Sequence, residues 1–236
     1  TGDDLWLAGV RLQPDVDSML YALADVKDTM KGWGRRGDST RVAGELHAWG
    51  VGWDWFELGD LDLGAHLART SWLREGASVS EALRRLQSRW DIGATLLPMT
   101  DAEVDTRVVT VERTMHFQEW WTRFRASILP ERFDNPGIET AVPAPGVLDA
   151  LAQADAIVVA PSNPVVSIDP ILAVPGVRGA LRASSARVVG VSPIIGGAPV
   201  RGMADVCLRV VGVTCSAAGV AAHYGARGGG GGPAGG

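Results

Sequence analysis

The amino-acid sequence predicts an α/β protein: a doubly wound, mostly parallel sheet carrying an added helical subdomain. Three observations lead there. From about residue 138 onward, short continuous apolar runs alternate with helical stretches, the pattern of parallel strands covered on both faces. Before that point helix signals dominate, and all nine tryptophans fall ahead of position 122. With 236 residues, 46% of them hydrophobic and 21% charged, the chain is long enough to bury a substantial core.

In chain order, "TGDDLWLAGVRLQPDVDS" opens with Asp3 and Asp4, runs through an apolar, strand-like stretch, and closes on Asp15 and Asp17. "PDVDSMLYALADV" then shows helical apolar spacing, with Asp15 as the expected N-cap. "DSTRVAGELHAWG" and "GDLDLGAHLARTSWLREG" read as helices closed by Gly50 and Gly76. In "SVSEALRRLQSRW", Glu81 follows Ser78 at capping-box spacing. "TRVVTVERTMHF" alternates as a strand, and "FQEWWTRFRAS" returns to helix. Further on, "GVLDALAQA", "PGVRGALRAS" and "RGMADVCLRVVG" are helical, and between them "DAIVVAP" and "ARVVGVSP" are expected buried strands. Residues 1–137 therefore read as the N-terminal part of the α/β core plus a helical, Trp-rich insertion. Residues 138–227 continue the core, and 228–236 form a low-complexity glycine-rich tail that cannot bury side chains.

Composition excludes several functions. A net charge of -5 with no dominant basic stripe argues against a protein that neutralises nucleic-acid phosphates. The longest apolar stretches are far short of a membrane span, so no membrane partner is expected. Cys207 and Cys215 lack CxxC spacing and read as two reduced, buried thiols of a cytoplasmic protein rather than a disulfide or a metal site.

The chemistry is expected beyond the carboxyl ends of the strands, where open parallel sheets bind ligands. The two strand exits, "APSNPVVSIDPIL" and "VSPIIGGAPVRG", hold Ser162, Asn163 and Ser167 in one and Ser192, Gly196 and Gly197 in the other. Small hydroxyl or amide side chains and accessible backbone N–H groups suit phosphate there, although ordinary β–α turns have the same composition. The opening acids fit beside them: hard cations such as Mg2+ take carboxylate and phosphate oxygens together. The plain alternative is that these acids cap helices and turns. No nucleophilic triad emerges from His47, His66, His116 and His223. "MHFQEWW" concentrates a His, a Gln, a Glu and two Trp.

These segments, together with "GWGRRGD", "LLPMTDAEVDTRVV" and "GVSPIIGGAPVRGMAD", run in order from residue 1 to about 227 and resemble the 2-phospho-L-lactate transferase family, whose actinobacterial members act as phosphoenolpyruvate transferases. The resemblance implies a Rossmann-like core and a role in making the deazaflavin coenzyme F420. It implies a magnesium-dependent transfer of a phosphoenolpyruvyl or 2-phospholactyl group from a guanosine-diphosphate-linked donor to the ribityl hydroxyl of the deazaflavin Fo, with release of GMP. Under it, Asp3 and Asp17 are expected to hold Mg2+, and Asp4 to stand behind them or serve as general base. Ser162, Asn163, Ser167, Ser192, Gly196 and Gly197 are expected at the donor nucleotide, Arg35 and Arg36 at the donor carboxylate, and His116, Gln118 and Trp121 on the deazaflavin side. A homodimer is the family-based expectation. Family members carry a strand and a GGxGGA-type loop before "TGDD" and further α/β structure beyond "HYGAR", so the chain is expected to be a fragment. The competing expectations are an inactive fragment and a non-catalytic nucleotide-sugar-binding regulator of the gluconeogenesis-linked kind. Such a regulator is expected to have a Gly- and Ser-rich turn after the paired aspartates, where this chain has a strand and a second acidic pair.

Overall fold

A computed structural model describes residues 2–52 and 54–226; the expected tail at 228–236 lies outside the described residues. The fold is α/β, and its first element corrects the sequence reading. The apolar run between the two acidic pairs is not one strand but a hairpin of β1 (Leu5–Leu7) and β2 (Val10–Leu12), with Leu5 opposite Leu12. Ala8 and Gly9 make the turn at φ of 49° and 75°, the two consecutive left-handed residues that a tight hairpin needs. Leu5, Leu7 and Leu12 face inward, and Trp6, at the alternate position, faces out.

Helix α1 (Pro14–Leu23) follows at once. Its N-cap is Gln13, not the expected Asp15, because proline, lacking an N–H, takes the first helical position and moves the boundary two residues upstream of the acid. Helices α2 (Arg41–Ala48), α3 (Asp60–Arg74) and α4 (Val79–Gln87) complete the helical portion. Gly50 and Gly76 follow the first two at φ of 68° and 94°, the left-handed step that ends a helix. The Ser78–Glu81 capping box at α4 is formed. Leu20, Tyr21 and Leu86 meet between these helices, walled by Trp72 and Trp90.

"TRVVTVERTMHF" also folds back on itself, as β3 (Arg107–Val109) and β4 (Thr114–His116), with β5 (Arg132–Asp134) on the other edge of β3, all antiparallel. The expected helix at "FQEWWTRFRAS" is a single π-helical turn, Glu119–Arg123, that buries Trp120 completely. The parallel element is the predicted one. Helix α5 (Val147–Gln153) leads into β6 (Ala156–Val159), and a π-helical turn (Pro164–Ile168), α6 (Asp169–Ala173) and α7 (Val177–Ala183) cross over to β7 (Arg187–Gly190), paired from Ala156↔Arg187 to Val159↔Gly190. A short hairpin, β8 (Ile194–Ile195) and β9 (Ala198–Pro199), precedes α8 (Ala204–Val210) and α9 (Ala217–Ala226).

One core cluster joins Val108, Met115 and Trp120 to Val165, Leu208 and Val220, so the antiparallel sheet packs directly on the crossover unit. The strands β6 and β7 are less buried than their apolar sequences predict: Val158, Val188 and Val189 are all exposed. Among the described residues the two strands pair only with each other, which leaves part of this small sheet open to solvent. Both cysteines are free thiols; Cys207 is buried and Cys215 half-buried. No single helix is long and apolar enough to cross a membrane. Replacing Ser78 with Ala removes one half of the capping box and is expected to cost about 1 kcal/mol in urea unfolding, with the unfolding slope unchanged.

Candidate active site

The hairpin explains the two acidic pairs. Because Leu5 lies opposite Leu12, folding back brings the two ends of the run side by side. Asp4 comes level with Gln13, whose Nε2 donates to Asp4 Oδ2 at 2.6 Å, while the Arg11 guanidinium reaches the same oxygen at 3.2 Å. Asp3 Oδ1 accepts the Asp15 backbone N–H at 3.4 Å, and Asp3 Oδ2 accepts Gln118 Nε2 at 2.8 Å. Asp3 and Asp4 are both buried. Burial, then the neighbouring carboxylates of Asp15 and Asp4, push the Asp3 carboxyl well above the usual carboxylate range. Asp3 and the half-buried Asp15 offer carboxylate oxygens of the kind a hard divalent cation such as magnesium takes, although among the described residues they do not form a cluster as tight as Asp17, Asp62 and His66.

The "MHFQ" stretch braces this loop from β4. His116 Nδ1 accepts the Gln118 backbone N–H at 3.0 Å, which leaves Nε2 to carry the proton and donate to the Asp4 carbonyl at 3.1 Å. Burial lowers the His116 pKa, so the ring is neutral in this role. Gly2 sets the approach on the other side. A Cβ there would stand 2.8 Å from Thr106 Oγ1 and 3.1 Å from Pro170 Cγ, so only glycine lets the acidic loop lie against the segment leaving β6.

Asp17 faces a different partner. Both of its oxygens are gripped by the fully buried Arg69 guanidinium, one of them at 3.0 Å. Arg69 also donates to His66 Nδ1 at 3.1 Å, His66 Nε2 lies 3.5 Å from Asp62 Oδ1, and the Tyr21 hydroxyl donates to that oxygen at 2.6 Å. Asp17, Asp62 and His66 offer ligand atoms within 4.8 Å of one another, but Arg69 already supplies the positive charge such a cluster needs. Burial alone would raise the Asp62 carboxyl; the His66 and Tyr21 contacts outweigh it and hold the group below its ordinary value. The Arg69 guanidinium likewise stays charged despite burial, because Asp17 lies against it.

A cavity of about 370 Å³ opens beside Asp4. Trp6, Arg11, Glu103, Asp105, Arg107 and His116 line it. Trp6 Nε1 donates to Glu103 at 3.0 Å and Arg11 stacks 5.7 Å from its ring, so an aromatic face is fixed at the cavity wall. Trp6, Arg11, Glu103 and Asp105 escaped the sequence reading. The period-two pattern Leu5–Trp6–Leu7, an aromatic pointing out between two inward leucines, was the available signal for the first.

The remaining candidates lie as follows. Trp121 stacks on Phe117 at 6.0 Å and packs over Gly202, away from the walls of this cavity. Asn163 caps the Pro164–Ile168 turn, accepting the Val165 N–H at 3.0 Å, with Ser162 exposed and Ser167 half-buried beside it. The Ser192 hydroxyl accepts the Ile194 N–H at 3.0 Å. Gly196 and Gly197, at φ of 60° and 82°, form the exposed tip of the β8–β9 hairpin. The Arg35 guanidinium sits 5.9 Å from the Tyr21 ring and 5.4 Å from Trp90, and Arg36 pairs with Asp25 at 3.2 Å.

Arg69→Met leaves Asp17 buried opposite an apolar side chain and is expected to cost about 3–5 kcal/mol in denaturant unfolding. The double variant Asp17→Leu/Arg69→Met is expected to recover most of that loss, because no lone charge remains.

Comparison with known proteins identifies the family. The family model described as 2-phospho-L-lactate transferase CofD matches residues 1–224. The chain is 50% identical over 234 residues to a phosphoenolpyruvate transferase of Mycobacterium sp. (strain KMS), covering 97% of this chain and 71% of that relative. It is 49% identical to the phosphoenolpyruvate transferase of Nocardia farcinica over 233 residues, covering 96% and 70%, and 50% identical to that of Mycobacterium leprae over 232 residues, covering 96% and 70%. Among solved structures, a UPF0052-family protein from Bacillus halodurans is similar with a TM-score of 0.52 at 18% identity, over 80% of this chain and 57% of that one, a likeness of fold. The chain thus spans less than two thirds of that solved structure, but more than two thirds of these relatives. With a match from residue 1 to residue 224 and half of all residues shared with such relatives, the chain belongs to the 2-phospho-L-lactate transferase family.

Proposed function

We propose that this protein transfers a phosphoenolpyruvyl group, or its 2-phospholactyl counterpart, from a guanosine-diphosphate-linked donor to the ribityl hydroxyl of the deazaflavin Fo in coenzyme F420 biosynthesis. The observation that carries the reading is the hairpin: it brings the buried Asp3 and Asp4 beside Asp15 in the first turn of α1, with Asp4 on the wall of a cavity that has an aromatic face. Family membership and the names of the relatives support the reaction class.

In this reading the acceptor lies in the 370 Å³ cavity. Its flat ring stacks on Trp6, and its hydroxyls bond to Glu103 and Asp105, carboxylates that serve polyols well. The acceptor oxygen attacks the phosphorus that carries the enolpyruvyl or lactyl substituent. A new P–O bond forms, the bond from that phosphorus to the oxygen shared with GMP breaks, and GMP leaves with the electron pair. Asp4, on the cavity wall, takes the hydroxyl proton, with Arg11 and Gln13 holding its carboxylate in place. Asp3 and Asp15 would hold magnesium, which would supply charge neutralisation at the diphosphate. Asp17, assigned to the metal from sequence, here anchors Arg69 behind the loop and so keeps the helix bearing Asp15 in place. Gln118 and His116 fix the loop itself, and the backbone of the Ser162–Ser167 segment receives donor phosphates.

Chromatographic product analysis with Fo and each guanylated donor tests the reaction. A deazaflavin phosphodiester together with GMP supports it, and protein that binds GDP yet forms no product counts against it. Asp3→Asn is expected to cut turnover by at least about tenfold while leaving the melting temperature within a few degrees. Trp6→Ala is expected to raise the KM for Fo by about tenfold with a smaller change in kcat, since stacking contributes roughly 1–3 kcal/mol.

A further inference from the structure

The cavity beside Asp4 has two guanidiniums on its wall, and they differ in kind. The Arg107 side chain is 42% exposed and its charge is met by Asp105 at 2.5 Å. Arg11 is only 4% exposed. It lies in β2 directly opposite Trp6, on the face of the hairpin away from Val10 and Leu12, which pack with Leu5 and Leu7. Its backbone N–H donates to Thr70 Oγ1 at 2.8 Å, and that hydroxyl donates to the His66 carbonyl at 2.7 Å, so β2 is pinned to α3 at this residue. A guanidinium carries five N–H donors. Among the described residues the Arg11 side chain makes one hydrogen bond, to Asp4 Oδ2 at 3.2 Å. Its other nitrogens are not sealed off as the Nε atoms of Arg35 and Arg69 are; they open on the cavity. A buried guanidinium with most of its donors unused carries a standing desolvation cost, which a second anion removes.

The reaction proposed above brings such an anion. The enolpyruvyl and lactyl groups both carry a carboxylate on the carbon that bears the phosphate oxygen. Arg35 and Arg36, expected there from sequence, lie instead against Tyr21 and Trp90 and on Asp25. We infer that Arg11 selects the donor: resting on that reading of the reaction, one edge of its guanidinium stays on Asp4 and the rest receives the carboxylate of the transferred group. The site then takes guanylated donors whose transferred group is a 2-carboxy phosphate ester and disfavours GDP-linked groups without a carboxylate. Arg11 reads the carboxylate and not the carbon beside it, so one guanidinium serves the planar enolpyruvyl and the tetrahedral lactyl group alike. Its place between the Trp6 ring, 5.7 Å away, and Asp4 sets the transferred group between the stacked acceptor and the carboxylate that takes its proton. A donor without the carboxylate leaves a buried cation short of partners, the situation in which polar sites discriminate most strongly.

Calorimetry with Mg2+ present compares three ligands: GDP, the guanylated lactyl donor, and the uncharged methyl ester of that donor. On the wild-type protein the carboxylate donor is expected to bind at least about tenfold more tightly than the ester. Arg11→Gln is expected to bring the two within about twofold of each other and to leave GDP binding unchanged. Arg11→Lys keeps the charge but loses the fork, and a preference of only a few-fold is expected. Arg107→Gln is expected to retain the wild-type preference. A wild-type protein that binds ester and carboxylate alike overturns the inference, whether or not any variant folds. So does an Arg11→Gln or Arg11→Lys protein of native melting behaviour that keeps the full preference, or an Arg107→Gln protein that loses it. The reaction fails separately: a carboxylate preference that depends on Arg11, in a protein that forms no product with Fo, supports the inference and contradicts the acceptor assigned above.

Discussion

The site depends on how this fold accommodates carboxylates out of water. An ionised carboxylate moved from water into a protein interior loses several kcal/mol unless other groups replace its hydration. The chain meets that cost differently for each acid. Asp17 has a guanidinium against both oxygens; Asp4 has an amide and a guanidinium on one. Asp3 lies where burial and the neighbouring acids raise its proton affinity, with the Gln118 amide as one of its donors. Asp3 therefore holds a proton more tightly than an ordinary carboxylate, at the end of the β1–β2 hairpin that meets the segment leaving β6.

Packing turns that local electrostatics into a site. A Cβ on Gly2 would run into Pro170, more than a hundred and sixty residues away in sequence, and Trp120 locks β4 and its His116–Gln118 arm into the core shared with Val165 and Leu208. Asp169, next to Pro170, is held by His223 on α9. The acidic loop is thus held between the β4 arm and the crossover segment, which are themselves packed together in one core. That rigidity matters for phosphoryl-type transfer, where positioning and charge neutralisation do most of the chemistry.

Much of the α/β pattern was legible in the sequence, because the strand–helix alternation of "DAIVVAP" to "ARVVGVSP" and the Ser78–Glu81 cap are local signals. The hairpin was harder to read. "AG" at positions 8 and 9 is a weak turn signal beside the usual Asn-Gly or Asp-Gly, and three-residue strands give little alternation to count. The cost of missing it was the neighbourhood of the acids: the resemblance implied Asp17 as Asp3's companion, whereas the folded hairpin brings Asp15's amide to Asp3 and turns Asp17 toward Arg69. Arg69, Asp62 and His66 lie some fifty residues away from Asp17 in sequence, with no local pattern that marks them as its partners. Membership of the 2-phospho-L-lactate transferase family narrows the chemistry.

The most direct measurement is an anomalous-scattering map from crystals grown with Mn2+ and GDP. The account predicts a peak within about 2.0–2.3 Å of an Asp3 carboxylate oxygen, shared with Asp15 and a phosphate, while Asp17 stays paired to Arg69. A peak seated between Asp17, Asp62 and His66 with Arg69 displaced, or Asp3 left to Gln118 with manganese elsewhere, would contradict it.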